Sequence, residues 1–321
     1  ILHVLNSQEM STVVIDGVAY TTSFDHADAN RQMKTYDEMR NDDVIICSYP
    51  RSGTHWTITL VDLVMREGDT EAADKIPINL RSQWMHISRK VWAGEVSMPA
   101  EDIHPMREAE MLPSPRLLCS NLSYDVMPES VQQGICKVIL VLRNPKAVFN
   151  SRYKFDALIP EKFRDGQTLD GHLDNQLTEA QDKMSYGTWF NHVSGWWQNR
   201  GNLKGNIHFI KFEGMIENMT KVVTELAQFL NKDLSHETIN AVTEYLQYGN
   251  MKKNPKIGRA FEKLAIYKDA DTDRKQTFQA SHMRKGAIDD WKNNLTVAQS
   301  ERIDEYLGPR LEKIGLKFKY E

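Results

Sequence analysis

Cysteine is scarce in this sequence: Cys47, Cys119 and Cys136 are the only three in 321 residues. An odd, scattered set without a CxxC pair excludes a disulfide framework and a structural zinc site, so no metal is expected. Long apolar runs are missing as well, and none approaches the roughly 20 residues that cross a bilayer. The opening Ile1-Leu-His-Val-Leu5 is too short for the apolar core of a secretory signal, and Asn6 to Met10 interrupts it. A first residue other than Met is expected of a trimmed or processed chain. Positive charge is not in excess, since 40 Lys and Arg face 44 Asp and Glu for a formal net charge of −4. Nothing global draws such a chain to nucleic acid or anionic lipid, so any anion site must be built locally. Internal repeats and low-complexity tracts are absent. The expectation is a cytoplasmic protein with reduced thiols, no membrane attachment and no nucleic-acid partner.

What is present is ordinary for a globular protein, with 40% hydrophobic and 26% charged residues. The length suits one large α/β domain or two small ones. Three continuous apolar runs, each closed by a turn signal, read as buried parallel strands. They are Val44 to Ser48 before Tyr49-Pro50, Lys137 to Leu142 before Arg143-Asn144-Pro145, and Ile207 to Phe212 before Glu213-Gly214. Each leads into a helix, predicted over Trp56 to Met65, Ala147 to Phe155 and Met219 to Leu230. Strand, turn and helix in repetition predict an α/β fold with a central parallel sheet flanked by helices, its ligands at the carboxyl ends of the strands. Asp156 to Lys183 reads as a long polar surface loop, and Pro255 to Gln279 as a candidate lid. No domain boundary stands out.

Three segments can gather an anion. Tyr49-Pro-Arg-Ser-Gly-Thr-His-Trp56 joins the first strand to its helix. There Gly53 admits close backbone approach, the first-turn amides are unsatisfied donors, and Arg51, Ser52 and Thr54 add a charge and two hydroxyls. The physics is that of a P-loop, although GxxxxGK[ST] is not spelled. An ordinary strand-to-helix turn with a capping hydroxyl fits the same residues. After the second strand, Arg143 and Ser151 can converge on a second phosphate, or Arg143 can serve a surface ion pair. Arg284-Lys285-Gly286 forms a third cationic turn, which can equally be a solvated one.

In this order and spacing, SYPRSGTHW at 48–56, VLRNPKAVFNSRYKF at 141–155 and RKGAIDDWKNNLT at 284–296 resemble the signature segments of the cytosolic sulfotransferases. Smaller likenesses fill the gaps, among them Ser114-Pro-Arg-Leu-Leu118, Ser185-Tyr-Gly-Thr-Trp189 and Trp196-Trp197. The resemblance spans about Asp37 to Leu316. It implies a single sulfotransferase domain over 37–321, preceded by an extension, 1–36, that packs on or near the core. It further implies a cofactor, 3′-phosphoadenosine 5′-phosphosulfate (PAPS), leaving the product PAP, with no metal. By resemblance, Arg51, Ser52, Gly53, Thr54, His55 and Trp56 hold the 5′-phosphosulfate. Arg143, Ser151, Arg284, Lys285 and Gly286 hold the 3′-phosphate. Trp56 and Tyr248 flank the adenine, with Phe212 where the family has a tyrosine, and Leu246 is a further cofactor-binding residue. Arg81-Ser-Gln-Trp84 and the Ser-Pro-Arg-Leu start most resemble the hydroxysteroid-type branch, so a small apolar acceptor such as a sterol or bile-type alcohol is implied. Trp84, Met85, His86, Trp92 and Met98 would line its pocket, or simply pack in the core. Lys292, Thr296, Val297 and Glu301 are similar to the family's short dimerisation segment and imply a homodimer, while Thr296 also reads as a helix cap.

One departure matters for chemistry. Sulfuryl transfer needs an aligned acceptor, a base for its proton, and neutralised charge on the leaving oxygen. The family's base is a histidine in the strand after Pro-Arg-Leu, where this chain has Asn121. An amide orients a hydroxyl but does not take its proton. His55, inside the phosphate loop, is the candidate replacement, with Asn121 positioning the acceptor. A cationic His55 that only binds phosphate is the competing role, because a neighbouring anion favours imidazolium. His86 and His104 are further candidates. Arg51 replaces a family lysine, keeping charge but changing a point charge to a planar fork. Two functions follow from these residues: an active sulfotransferase, or a nucleotide- and ligand-binding homologue that turns over weakly. A P-loop NTPase or kinase is excluded, since neither the Walker lysine nor an aspartate for magnesium is present.

Overall fold

The alternation of apolar residues in the strands decides the architecture. The structure, a computed structural model, describes residues 12–15, 18–21, 31–93, 105–156, 168–258 and 286–321. A small antiparallel hairpin pairs β1 (Thr12–Ile15) with β2 (Val18–Thr21). Tyr186 N donates to Ala19 O at 2.8 Å, which ties the hairpin to the loop before a helix of the main body. The main sheet comprises β3 (Val44–Ser48), β4 (Gln83–Trp84), β5 (Leu117–Ser120), β6 (Lys137–Leu142) and β7 (Ile207–Lys211). Its order is β4-β5-β3-β6-β7 and every pair is parallel.

Successive residues of a strand face opposite sides, so each run feeds two cores. Ile45, Cys47, Leu118, Val138 and Leu140 enter one, and Val44, Ile46, Leu117, Cys119 and Ile139 the other. The second core is closed by α1 (Thr54–Met65) through Ile58 and Leu63. The first is closed by α2 (Pro145–Asp156), α4 (Trp189–Gln198) and α9 (Val297–Lys313), through Phe149, Trp196 and Leu307. Between α2 and α4, α3 (Leu169–Gln176) lies within the stretch that sequence reading assigns to a surface loop. That expectation is corrected here: His172, Leu173 and Gln176 are buried, one face of a short helix capped by Thr168. After β7, Phe212 opens α5 (Phe212–Glu217) instead of ending the strand. Next come α6 (Met219–Phe229), α7 (His236–Tyr245) and α8 (Tyr248–Lys253), with α6 and α7 packing through Val223, Leu226, Ile239 and Val242 onto the second core.

All three cysteines are buried free thiols. No helix among the described residues is long and apolar enough to cross a membrane. The chain leaves β3 for β4 and β5 on one side and then β6 on the other, so the reversal of strand order falls at the carboxyl end of β3. An open α/β sheet offers its ligand crevice there.

Candidate active site

The turn after β3 is built around left-handed backbone. Arg51 has φ 72° and Gly53 φ 103°. Gly53 stands at the start of α1 and gives it no side-chain cap, so the first-turn amides remain available as donors. Ser52 is buried, and its Oγ makes no hydrogen bond within the described residues. A buried unsatisfied hydroxyl beside uncapped helix amides suits an incoming oxyanion. Thr54 Oγ1 lies 2.7 Å from Ser48 Oγ at the end of β3.

Two guanidinium groups shape this loop. Arg51 Nε donates to Ser151 Oγ at 3.2 Å and its guanidinium lies 4.7 Å above the Phe155 ring. Arg143, just beyond β6, donates to Arg51 O at 2.9 Å and stacks 4.0 Å from the centre of the Phe212 ring. Phe212 in turn meets Trp56 edge-on at 5.5 Å, and Trp56 Nε1 donates to Leu246 O at 3.1 Å. Gly286, with φ 63°, packs against Tyr248, whose ring would lie 3.1 Å from an added Cβ. Thus Arg51, Arg143 and Ser151 are brought to one end of the sheet with Trp56, Phe212 and Leu246, and Gly286 meets Tyr248. Arg284 and Lys285 lie outside the described residues.

A run of aromatic rings packs beside the loop. Trp84 and Met85 follow the β4–β5 pairing, with Met85 N donating to Cys119 O at 2.9 Å. The rings of His55 and Trp84 are 5.9 Å apart, Trp84 and His86 5.5 Å, and His86 and Tyr186 5.6 Å. Burial first, and the Arg51 charge second, push the His55 imidazole down to about 3. Burial alone takes His86 to about 3. Both rings are therefore neutral near pH 7. Trp92 lies in the short helix Arg89–Ala93, and Met98 and His104 fall outside the described residues.

Asn121 follows β5 and is buried. Its Nδ2 donates to Ser48 O at 2.7 Å and to Ser48 Oγ at 3.2 Å, so the amide nitrogen is tied to the end of β3, where the turn begins. Its backbone carbonyl accepts from His192 Nε2 of α4 at 3.1 Å. Burial lowers His192 to about 4. Sequence reading missed His192, which lies 71 positions from its partner, and no local signal joins the two. It also missed Tyr49, whose hydroxyl donates to Gly187 O at 3.0 Å and accepts from Gln176 Nε2 at 2.7 Å, fixing the start of the loop.

A parallel sheet with a left-handed turn at its switch point defines the class: an open α/β protein whose strand ends offer a ligand crevice. The particular family follows from comparison with known proteins. The chain belongs to the sulfotransferase family, whose domain matches residues 41–315. Sulfotransferase 1B1 of Canis lupus familiaris is 32% identical over 282 residues, 88% of each chain. The amine sulfotransferase of Oryctolagus cuniculus is 31% identical, over 88% of this chain and 84% of the relative. Among solved structures, retinol dehydratase with retinol and PAP superposes with a TM-score of 0.78 at 18% identity, covering 97% of this chain and 93% of that one. Mouse sulfotransferase SULT7A1 with PAP gives 0.66 at 21% identity, covering 94% and 95%. The protein is a PAPS-dependent sulfotransferase.

Proposed function

We propose that this enzyme transfers the sulfuryl group of PAPS to a hydroxyl of a small apolar acceptor, a sterol, bile-type alcohol or similar lipid, with His55 as the proton acceptor. The observation that carries this reading is the pairing of an anion loop with an aromatic wall of neutral imidazoles, joined at His55 and Trp84. Bound PAPS supplies a sulfuryl group on a phosphate leaving group. Ser52, Gly53, Thr54 and the first-turn amides of α1 would hold its 5′ end. Arg143, Ser151, Arg284, Lys285 and Gly286 would hold the 3′-phosphate, and Trp56, Phe212, Leu246 and Tyr248 the adenine. His55 would take the acceptor's hydroxyl proton, while bound PAPS would supply the sulfuryl group that the hydroxyl oxygen receives. Arg51 would neutralise the charge left on the phosphate oxygen.

Burial and Arg51 hold His55 neutral, while a bound anion pulls its pKa back up. Held neutral, the imidazole carries the lone pair that a base requires. Trp84, Met85 and His86 are buried at the far wall and support an apolar acceptor, as does the retinol bound by retinol dehydratase. The engagement of Asn121 with Ser48 supports the second reading, a homologue that binds nucleotide and ligand but turns over weakly. Buried free thiols support a reducing, cytoplasmic setting.

Incubation with PAPS and a panel of sterols, bile alcohols, phenols and amines, read by mass, tests the function. A sulfonated sterol or alcohol is expected; silence with tight PAP binding supports the second reading. His55→Ala should lower kcat by roughly 10²–10⁴ with PAP affinity retained. A parallel fall in PAP affinity would make His55 a phosphate ligand.

A further inference from the structure

Ser48 and Asn121 form a hydrogen-bonded group behind the phosphate loop, and its chemistry is directional. An amide NH₂ only donates, and it carries two protons. Asn121 Nδ2 therefore serves Ser48 O and Ser48 Oγ at once, at 2.7 and 3.2 Å. Ser48 is fully buried. Its hydroxyl accepts from Asn121 and has one proton to place, and the nearby acceptor is Thr54 Oγ1 at 2.7 Å. With Ser48 as donor, the Thr54 hydroxyl accepts at that contact and turns its own proton elsewhere. Thr54 opens α1, whose first turn has no side-chain cap.

We infer that Asn121 is a positioning residue for the cofactor: through Ser48 it aims the Thr54 hydroxyl proton at the 5′-phosphate. The inference rests on residues 51–56 being the PAPS loop. His192 completes the arrangement, since its Nε2–H on the Asn121 carbonyl at 3.1 Å anchors the backbone from which the amide projects. An imidazole at position 121 has at most one N–H per nitrogen and cannot serve both Ser48 oxygens from one atom. The exchange of histidine for asparagine thus moves this position from the acceptor's proton to the cofactor's phosphate.

The test is a double-mutant cycle read by calorimetric PAP affinity. Thr54→Val and Asn121→Ala should each weaken PAP about fivefold, and the double variant should be no weaker than Thr54→Val alone. Adenosine 3′-phosphate, which lacks the 5′-phosphate, should bind wild type and Asn121→Ala equally. Ser48→Ala, which cuts the relay in its middle and leaves Asn121 in place, should reproduce the Asn121 effect. Additive losses, or an Asn121→Ala protein with wild-type PAP affinity, overturn the positioning role while leaving the loop assignment intact. Wild-type PAP affinity in Thr54→Val overturns the loop assignment, and the inference with it.

Discussion

Gly53 is where one atom decides the site. Its φ of 103° lies in a region that L side chains rarely adopt. A methyl group there would lie 2.6 Å from Phe212 Cδ2. Phe212 cannot yield without cost, because Arg143 covers its face and Trp56 its edge. Gly53→Ala therefore combines backbone strain with displacement of Arg143 and Trp56. It should destabilise the fold by about 1–2 kcal/mol and weaken PAP by roughly tenfold or more. Chemical denaturation and calorimetry check the two parts, and unchanged PAP affinity would mean that the loop tolerates a different backbone. Arg51 meets the same demand differently: a non-glycine at φ 72°, it is held by its carbonyl on Arg143 and its Nε on Ser151. Substituting Arg51 thus risks the loop's backbone as well as its charge.

At the scale of elements, legibility tracked local signal. β3, β6 and β7 announce themselves because strands buried on both faces read as continuous apolar runs, and helices follow each. The turn after β3 was legible as a strand-to-helix junction because its residues are consecutive. β4 has two residues and no run, and it exists through pairing with Leu118 and Cys119. α3 was hidden by Asp170, Gly171 and Asp174, and its burial rests on a polar residue. Gln176 donates to Tyr49 OH at 2.7 Å and accepts from Trp189 N at 2.9 Å. One side chain thus ties α3 to the start of the turn after β3 and to the first turn of α4, which carries His192. The contact between Asn121 and His192 was invisible for the same reason, being fixed by tertiary packing alone. Gln176→Leu keeps the volume and removes both bonds, leaving Trp189 N buried without its acceptor. It should cost about 1–3 kcal/mol, seen as a lower denaturant midpoint at unchanged m. A midpoint equal to wild type would assign the burial of α3 to Leu173 and His172 alone.

For the whole molecule, the open question is a second copy. α9 places Ile303, Leu307 and Leu311 in the first core, and its first turn is tied to α3 and α2 by Gln299 Nε2 on Asp170 at 2.8 Å and by Lys146 Nζ on Ser300 Oγ at 2.7 Å. That turn is fixed by a capping box, in which Gln299 N donates to Thr296 Oγ1 at 3.2 Å and Thr296 N to Gln299 Oε1 at 3.0 Å. Val297, held rigidly beside it, is 74% exposed, and Glu301 one turn on is exposed too. A rigid exposed apolar residue loses little entropy on docking, which favours it as the centre of a small contact. The segment Lys292, Thr296, Val297 and Glu301 is short, so the homodimer proposed for it should be weak and concentration-dependent. Sedimentation across the micromolar range should find a dimer that dissociates on dilution. Val297→Glu should give a monomer at every concentration, because a charge at the centre would be desolvated without a partner. Its PAP affinity should stay at the wild-type value, since Val297 is not among the residues proposed to hold the cofactor and its side chain is exposed. A wild-type protein of strictly monomeric mass at micromolar concentration would remove the dimer and leave Val297 a solvated residue.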